Sequence, residues 1–228
     1  MKHILTIILL LVSCTIPGFA QKIKLEAGYG IGAYSMKDLK SLNNLLLDKL
    51  PVKGKITDNF PVQPSESVAL TAQIGNRFVV GLTGSHSTTG SRVSYKDYSG
   101  EYKCDELLTS YAPGILVGVK LYKGIVDVSV MADAAYSFTK LKMEESLLTE
   151  TTKKSFTANS ITVLPEIKIA RIIKRFELGI NAGYLYDFGA DYSASDGSGN
   201  IKNTKTNQKI SNNWSGYRLS LNLGYWFN

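Results

Sequence analysis

The chain has 228 residues, of which 44% are hydrophobic and 20% charged, a balance that excludes a disordered polypeptide and suits one all-β barrel. Its formal charge of +7 comes from scattered lysines and arginines. No basic helix or recognisable nucleic-acid module accompanies them, so the expectation is no nucleic-acid partner, and anionic lipid headgroups match the charge better.

In chain order, the first element is an export signal. Lys2 and His3 precede an apolar run from Ile4 to Val12, and the small residues Gly18 and Ala20 stand just before Gln21. The expected organisation is a cleavable signal peptide at 1–20 followed by one β-barrel domain at 21–228. The apolar run is too short to span a bilayer as a helix, and no later stretch approaches the roughly 20 apolar residues that such a helix needs. Leu11-Val12-Ser13-Cys14 offers an alternative cut, because it resembles a lipobox that would lipidate Cys14. With cleavage after Ala20, Cys104 is the one cysteine left, which leaves no intramolecular disulfide and predicts an inert residue in a loop.

From Gln21 onward the same alternation recurs in eight segments. The first sets Ile23, Leu25, Ala27, Tyr29, Ile31 and Ala33 against Lys24, Glu26, Gly28, Gly30 and Gly32. Further segments centre on Val68–Ile74, Phe78–Leu82, Ile115–Leu121, Val126–Phe138, Ile161–Ile169, Phe176–Phe188 and Tyr217–Phe227. A period of two means a strand with one oily and one polar face. Tight turns at Gly75-Asn76-Arg77, Lys123-Gly124 and Lys174-Arg175 join them in pairs. The other connections, roughly Ser35–Ser67, His86–Ser110, Lys142–Ser155 and Ser193–Asn213, are long. Strict alternation of short and long connections predicts an eight-stranded antiparallel up-and-down transmembrane β-barrel, with short periplasmic turns and long extracellular loops.

A soluble barrel with a greasy cavity has the same period, so orientation is decided by other features. The polar parity is rich in glycine, which suits a crowded lumen. It also mixes acids with bases, and Glu26, Lys120, Asp127, Asp133, Glu166, Lys168, Glu177, Asp187 and Arg218 are the expected lumen ion-pair network. Aromatics of the oily parity gather near both ends, as membrane girdles do. Slipping a strand by one residue would place such charges in hydrocarbon, at roughly 2–4 kcal/mol for each midplane Lys or Arg.

These features together resemble the small outer-membrane barrels of the OmpA/OmpX type, and the chain is also similar to the PorT-like outer-membrane barrel proteins, a family with roles in secretion and gliding. The resemblance implies that Tyr225, Trp226 and Phe227 form the insertion signal read by the barrel-assembly machinery of a Gram-negative bacterium. Asn228 departs from the usual pattern, which ends on the aromatic itself.

Function is less sharply written. Eight strands enclose a space that inward side chains fill, so a narrow passive pore is an alternative reading rather than the main one. An enzyme reading has to use His86, the sole histidine of the mature chain, as the centre of a lipid A-modifying hydrolase. The deacylase family carries Ser two residues from its His, whereas here that place is Thr88, and no acid is assigned. No metal or cofactor is expected, since one mature histidine and one mature cysteine make no ligand cluster. Asp196–Asn200 lacks the terminal Glu of a calcium loop, and Gly28–Gly32 lacks the spacing of a dinucleotide fingerprint. In the first long loop, Ser35 and Asp38 have capping-box spacing, and Leu39, Leu42, Leu46 and Leu50 share one helical face before Pro51. That short helix is expected as a lid on the barrel mouth, with a helix lying on the membrane surface or serving a partner as the alternative reading. The main expectation is a monomeric, non-enzymatic surface protein whose loops meet a protein partner, in adhesion or as a secretion accessory. Outer-membrane lipid and lipopolysaccharide surround it; Lys202, Lys205 and Lys209 offer contacts to lipopolysaccharide phosphates, with plain solvation as the favoured reading of these three lysines.

Overall fold

The computed structural model describes residues 20–49, 54–98, 100–147, 150–197, 199–203 and 207–227. Apart from Ala20, the expected signal peptide lies outside them, as do Leu50, Pro51 and Lys205. The elements in chain order are β1 (Ala20–Tyr34), α1 (Lys37–Lys49), β2 (Lys55–Thr57), β3 (Gln63–Ile74), β4 (Phe78–Asp97), β5 (Gly100–Tyr122) and β6 (Asp127–Leu147). Then follow β7 (Glu150–Ile173), β8 (Phe176–Asp187), β9 (Ala190–Asp191), β10 (Ser193–Ala194), β11 (Ser211–Asn212) and β12 (Gly216–Phe227).

Strands β1, β3, β4, β5, β6, β7, β8 and β12 are joined antiparallel in that order, and β12 returns to pair with β1, so the sheet closes as an eight-stranded barrel. Closure leaves no free backbone edge within the membrane, which hydrocarbon would not tolerate. Pro165 has no N–H to donate, and the β7–β8 pairing passes from Val163 to Glu166 across it. Orientation follows the sequence expectation. Leu221 is 67% exposed on the outer wall, whereas Lys168 on the inner wall is 3% exposed. The outer belt of leucine, isoleucine and valine is flanked by Phe78, Phe176 and Phe227 below and by Tyr29, Tyr111, Tyr136, Phe138, Tyr186 and Tyr217 above. A wall of this kind is stable only in lipid. The protein is a transmembrane barrel of the outer membrane.

Two of the four expected long loops are absent as loops. Strands β4 and β5 run on as one ladder to Asp97 and Gly100, and β6 and β7 to Leu147 and Glu150. Sequence alternation ends these strands early because it changes sign, and the structure shows why. Within the membrane the outer parity is apolar. Above it the same outer parity carries Arg92, Lys103, Asp105, Lys142 and Glu144, while the inner parity turns apolar with Val93, Cys104, Leu108 and Leu141, all buried. The solvent outside has changed from lipid to water, so the oily side has moved inward. About ten residues per strand beyond the membrane give a wall roughly 25 Å tall at the usual rise and tilt. β2 covers part of the β4 margin of this wall and β10 part of the β7 margin.

Helix α1 forms where expected, but its cap differs. Met36 takes a left-handed φ of 46° and its carbonyl accepts the Lys40 N–H at 2.9 Å. The Asp38 carboxylate, instead of closing a capping box on Ser35, accepts the Ser211 N–H (3.0 Å) and Oγ–H (2.6 Å) and so ties the helix to β11. Cys104 is likewise not a loop residue. It is 2% exposed in β5, and burial pushes its thiol up to about 12, which leaves it unreactive.

Candidate functional site

The interior is layered along the barrel axis. Towards the tight turns is a compact ionic cluster. Lys24 of β1 pairs with Glu26 and with Glu177 of β8 (2.7 Å), and Lys168 of β7 pairs with Glu26 and Glu177 (2.7 Å). All four residues are less than a tenth exposed. Trp226 closes the cluster from below, its indole N–H donating to Glu177 Oε2 at 3.1 Å. Space for this assembly comes from two inward glycines. A Cβ at Gly179 would sit 3.0 Å from Lys168 Cε, and one at Gly224 would sit 3.0 Å from Lys24 Cδ. Bare backbone there lets two lysine stems cross the lumen. With two cations and two anions in mutual contact, the cluster is neutral, and paired charges are the form in which burial is tolerable.

Of the residues expected as one lumen network, Glu26, Lys168 and Glu177 meet here, joined by Lys24, which the sequence does not single out. Lys120 and Asp127 form a separate pair at 3.4 Å, nearer the turns. Glu166 accepts a hydrogen bond from Asn181 (2.8 Å) rather than an ion pair. Asp133 and Arg218 are both lumenal, yet Asp133 Oδ1 and Arg218 Nε are buried without hydrogen-bond partners. Arg218 turns upward, donates to Ser87 Oγ at 3.1 Å and lies over the Tyr34 ring. These side chains border a midlumen cavity of about 50 Å³. Such a void is polar and large enough for a few waters. Asp187 stands outside the network: its carboxylate accepts the Gly189 N–H (2.9 Å) and Trp214 N–H (2.8 Å) at the extracellular end of β8.

Above the cavity is a collar of inward hydroxyls. Ser110 and Ser137 are 2.8 Å apart, and Thr139 accepts the Trp214 indole N–H at 3.0 Å. Asn212 donates to Thr139 and Ser160, each at 3.3 Å. Higher still, Tyr34, Met36, Leu39, Phe60, Leu108, Leu141, Tyr192, Ile210 and Trp214 form an apolar plug, with Leu42 packed against it. Trp214 meets Tyr34 edge to face at 4.8 Å. Helix α1 is therefore a lid, as its leucine face implied, and the last long connection supplies the other half of the plug.

One charged residue intrudes beside this plug. Glu106, 3% exposed, accepts the Ser91 hydroxyl at 2.7 Å, and Asn43 of α1 donates to the same Ser91 at 2.8 Å. Glu106 Oε1 and Asn43 Oδ1 are buried without partners. Glu106 lies five residues beyond Tyr111 of the upper girdle, outside the membrane. Burial pushes its carboxyl up to about 7, against the Ser91 and Asn43 donors that pull it down. A carboxyl whose folded pKa is raised stays protonated while the unfolded chain ionises, so its native contribution falls as pH climbs from about 4.5 towards 7. Glu106→Gln is expected to tighten the lid relative to the parent over that window, by up to about 3 kcal/mol, and to show no difference near pH 4. The mobility of a spin label at exposed Asn44, followed from pH 4 to 8 in both proteins, checks this.

His86 is on the outer wall at the upper girdle. Its ring stacks on Tyr111 at 4.7 Å, and Nδ1 stands 3.5 Å from Glu66 Oε2. The structure thus brings an acid to His86. Ser87, its neighbour in sequence, points into the lumen and is bound to Tyr34 and Arg218. Tyr225 and Phe227 face lipid, and Trp226 faces inward.

No protein-family model and no curated protein matches the sequence. Among solved structures, the chain is similar to a major outer membrane protein from Thermus thermophilus, with TM-score 0.56 and 13% identity over 90% of this chain and 98% of that one. It is also similar to the outer membrane protein OprG from Pseudomonas aeruginosa, with TM-score 0.54 and 12% identity over 92% of this chain and 97% of that one. At such identities the shared property is the fold, and it is the fold of small outer-membrane β-barrels.

Proposed function

We propose that the protein is a closed, non-enzymatic anchor whose extracellular wall meets a surface partner, in adhesion or in support of secretion. The observation that carries this reading is that the lumen is blocked twice, by the ionic cluster with Trp226 at one end and by the plug around Trp214 at the other. A barrel so filled has little use as a conduit. What remains open to function is its exterior, where β4–β7 stand well clear of the membrane as a ladder faced with the pairs Lys96–Glu101 (3.0 Å), Lys103–Asp105 (2.7 Å) and Glu144–Lys153 (3.1 Å). A continuous ladder presents its side chains at fixed spacing, which loops do not. The protein acts as a monomer in lipid with lipopolysaccharide around it; in the last long connection Lys209 is paired with Asp191 at 2.9 Å. Export by the N-terminal signal, insertion through the Tyr225-Trp226-Phe227 terminus and membership of the PorT-like group belong to the same reading.

Planar-bilayer recording separates anchor from pore. The intact protein is expected to leave the bilayer silent, while replacing residues 92–105 by a tight turn preserves heat-modifiable gel mobility and abolishes surface binding. Steady unitary conductance from the intact protein would overturn the anchor.

A further inference from the structure

The tight-turn end of the barrel holds a feature that an anchor does not require. An open vestibule of about 460 Å³ lies beneath the ionic cluster, lined among others by Lys22, Lys120, Lys123, Lys174, Arg175, Asp127 and Trp226. Its floor is Lys120, 8% exposed, with its ammonium 5.0 Å from the centre of the Trp226 ring and 3.4 Å from Asp127. Asp127 is the one acid among the described lining residues and is already engaged with Lys120. The four basic residues of the rim are exposed, and the Arg175 guanidinium also donates to the Tyr225 hydroxyl at 3.5 Å. Arg171 adds to the same end on the outer wall, and Arg77 in the β3–β4 turn. Among the described residues, this end therefore gathers seven of the chain's 26 basic side chains and one of its 19 acidic ones. Nearly all the formal charge of +7 is concentrated there. The cluster above is neutral and offers no compensation.

Concave walls of low dielectric focus such a field, and the concentration of counter-anions rises inside. Lysine ammoniums are compact point charges that suit phosphate oxygens, and arginine adds a planar fork for the same group. The volume exceeds that of a single phosphate and falls in the range of small-molecule sites. We propose that this vestibule binds a phosphate-bearing anion from the periplasmic side, held by Lys22, Lys123, Lys174 and Arg175 over the Lys120–Trp226 floor. The opening faces along the barrel axis, away from the lipid wall, so a soluble phosphorylated ligand reaches it directly. A phospholipid headgroup has to bend around the rim. This inference does not depend on what the extracellular wall binds.

The test uses the full mature chain in zwitterionic detergent, with tripolyphosphate as the probe in calorimetric titration at low salt. Saturable binding is expected, weakened about tenfold by Lys123→Gln/Lys174→Gln/Arg175→Gln and unchanged by the outer-wall Arg171→Gln, with affinity falling as salt is raised. Heat-modifiable mobility verifies that both variants fold. A second arm compares nanodiscs of phosphatidylcholine with and without phosphatidylglycerol. If tripolyphosphate is ignored but the vestibule triple alone loses a preference for phosphatidylglycerol, the phosphate comes from a lipid headgroup and the site stands. Absence of binding in both arms, or equal weakening by the vestibule and outer-wall variants, overturns it.

Discussion

Glu177→Ala is expected to destabilise the barrel by about 3–5 kcal/mol, the range found when one partner is removed from a buried ionic assembly. The substitution leaves Lys24 and Lys168 sharing Glu26 alone, and it strips the Trp226 indole N–H of its acceptor. Water approaches the site from the small midlumen cavity above or past Trp226 below, and neither route opens it to bulk solvent, so the surplus cation stays poorly solvated. Removing that cation as well, in Glu177→Ala/Lys168→Met, is expected to recover most of the loss. Urea unfolding in lipid vesicles, followed by tryptophan emission and gel mobility, measures both variants. A single substitution costing less than about 0.5 kcal/mol would mean that the cluster is hydrated and contributes little.

The second large effect is at the other end. Trp214 is 1% exposed and holds three elements together: its backbone N–H donates to Asp187, its indole N–H to Thr139, and its ring packs on Tyr34. Trp214→Ala deletes this volume where the surrounding strands are fixed by their ladders and collapse poorly, so the cost is expected at about 3–5 kcal/mol. The lid should loosen, with faster proteolysis at Lys37 and Lys40. Bilayers should nonetheless stay silent, because the ionic cluster still blocks the far end. Conductance from Trp214→Ala alone would show that the lower block is leaky, and conductance only when Glu177→Ala is added would show two blocks in series.

How much of this is written in the sequence differs by layer. The membrane-spanning strands are legible because lipid imposes a single rule on every one of them, and Ile23–Ala33 or Leu219–Phe227 state it without exception. The upper halves of β4–β7 read as loops because the rule reverses there: Leu141 and Met143 take the inner side while Lys140 and Lys142 take the outer. A search for alternation of either sign would find them. Pairings across the lumen are harder. Lys24 sits in the first strand beside Glu26, and nothing in their spacing points to Lys168 or Glu177, more than a hundred residues away, until closure of the ring sets the register. The plug is similar, since Trp214, Tyr192 and Leu39 come from separate connections and have no common period. His86 is marked by its rarity, but its neighbours Glu66 and Tyr111 follow only from strand pairing.

The reversal of polarity along β4–β7 also fixes how deep the molecule floats. A ship's hull is painted to its waterline, and here that line runs where inward Ser137 and Thr139 give way to Leu141. Pushed down by two residues, the barrel would drag Lys140 into oil; lifted by two, it would bare outward aliphatic side chains such as Ile161 to water. Its draught is therefore set by the chain itself, and a thicker bilayer must thin around it rather than tilt it.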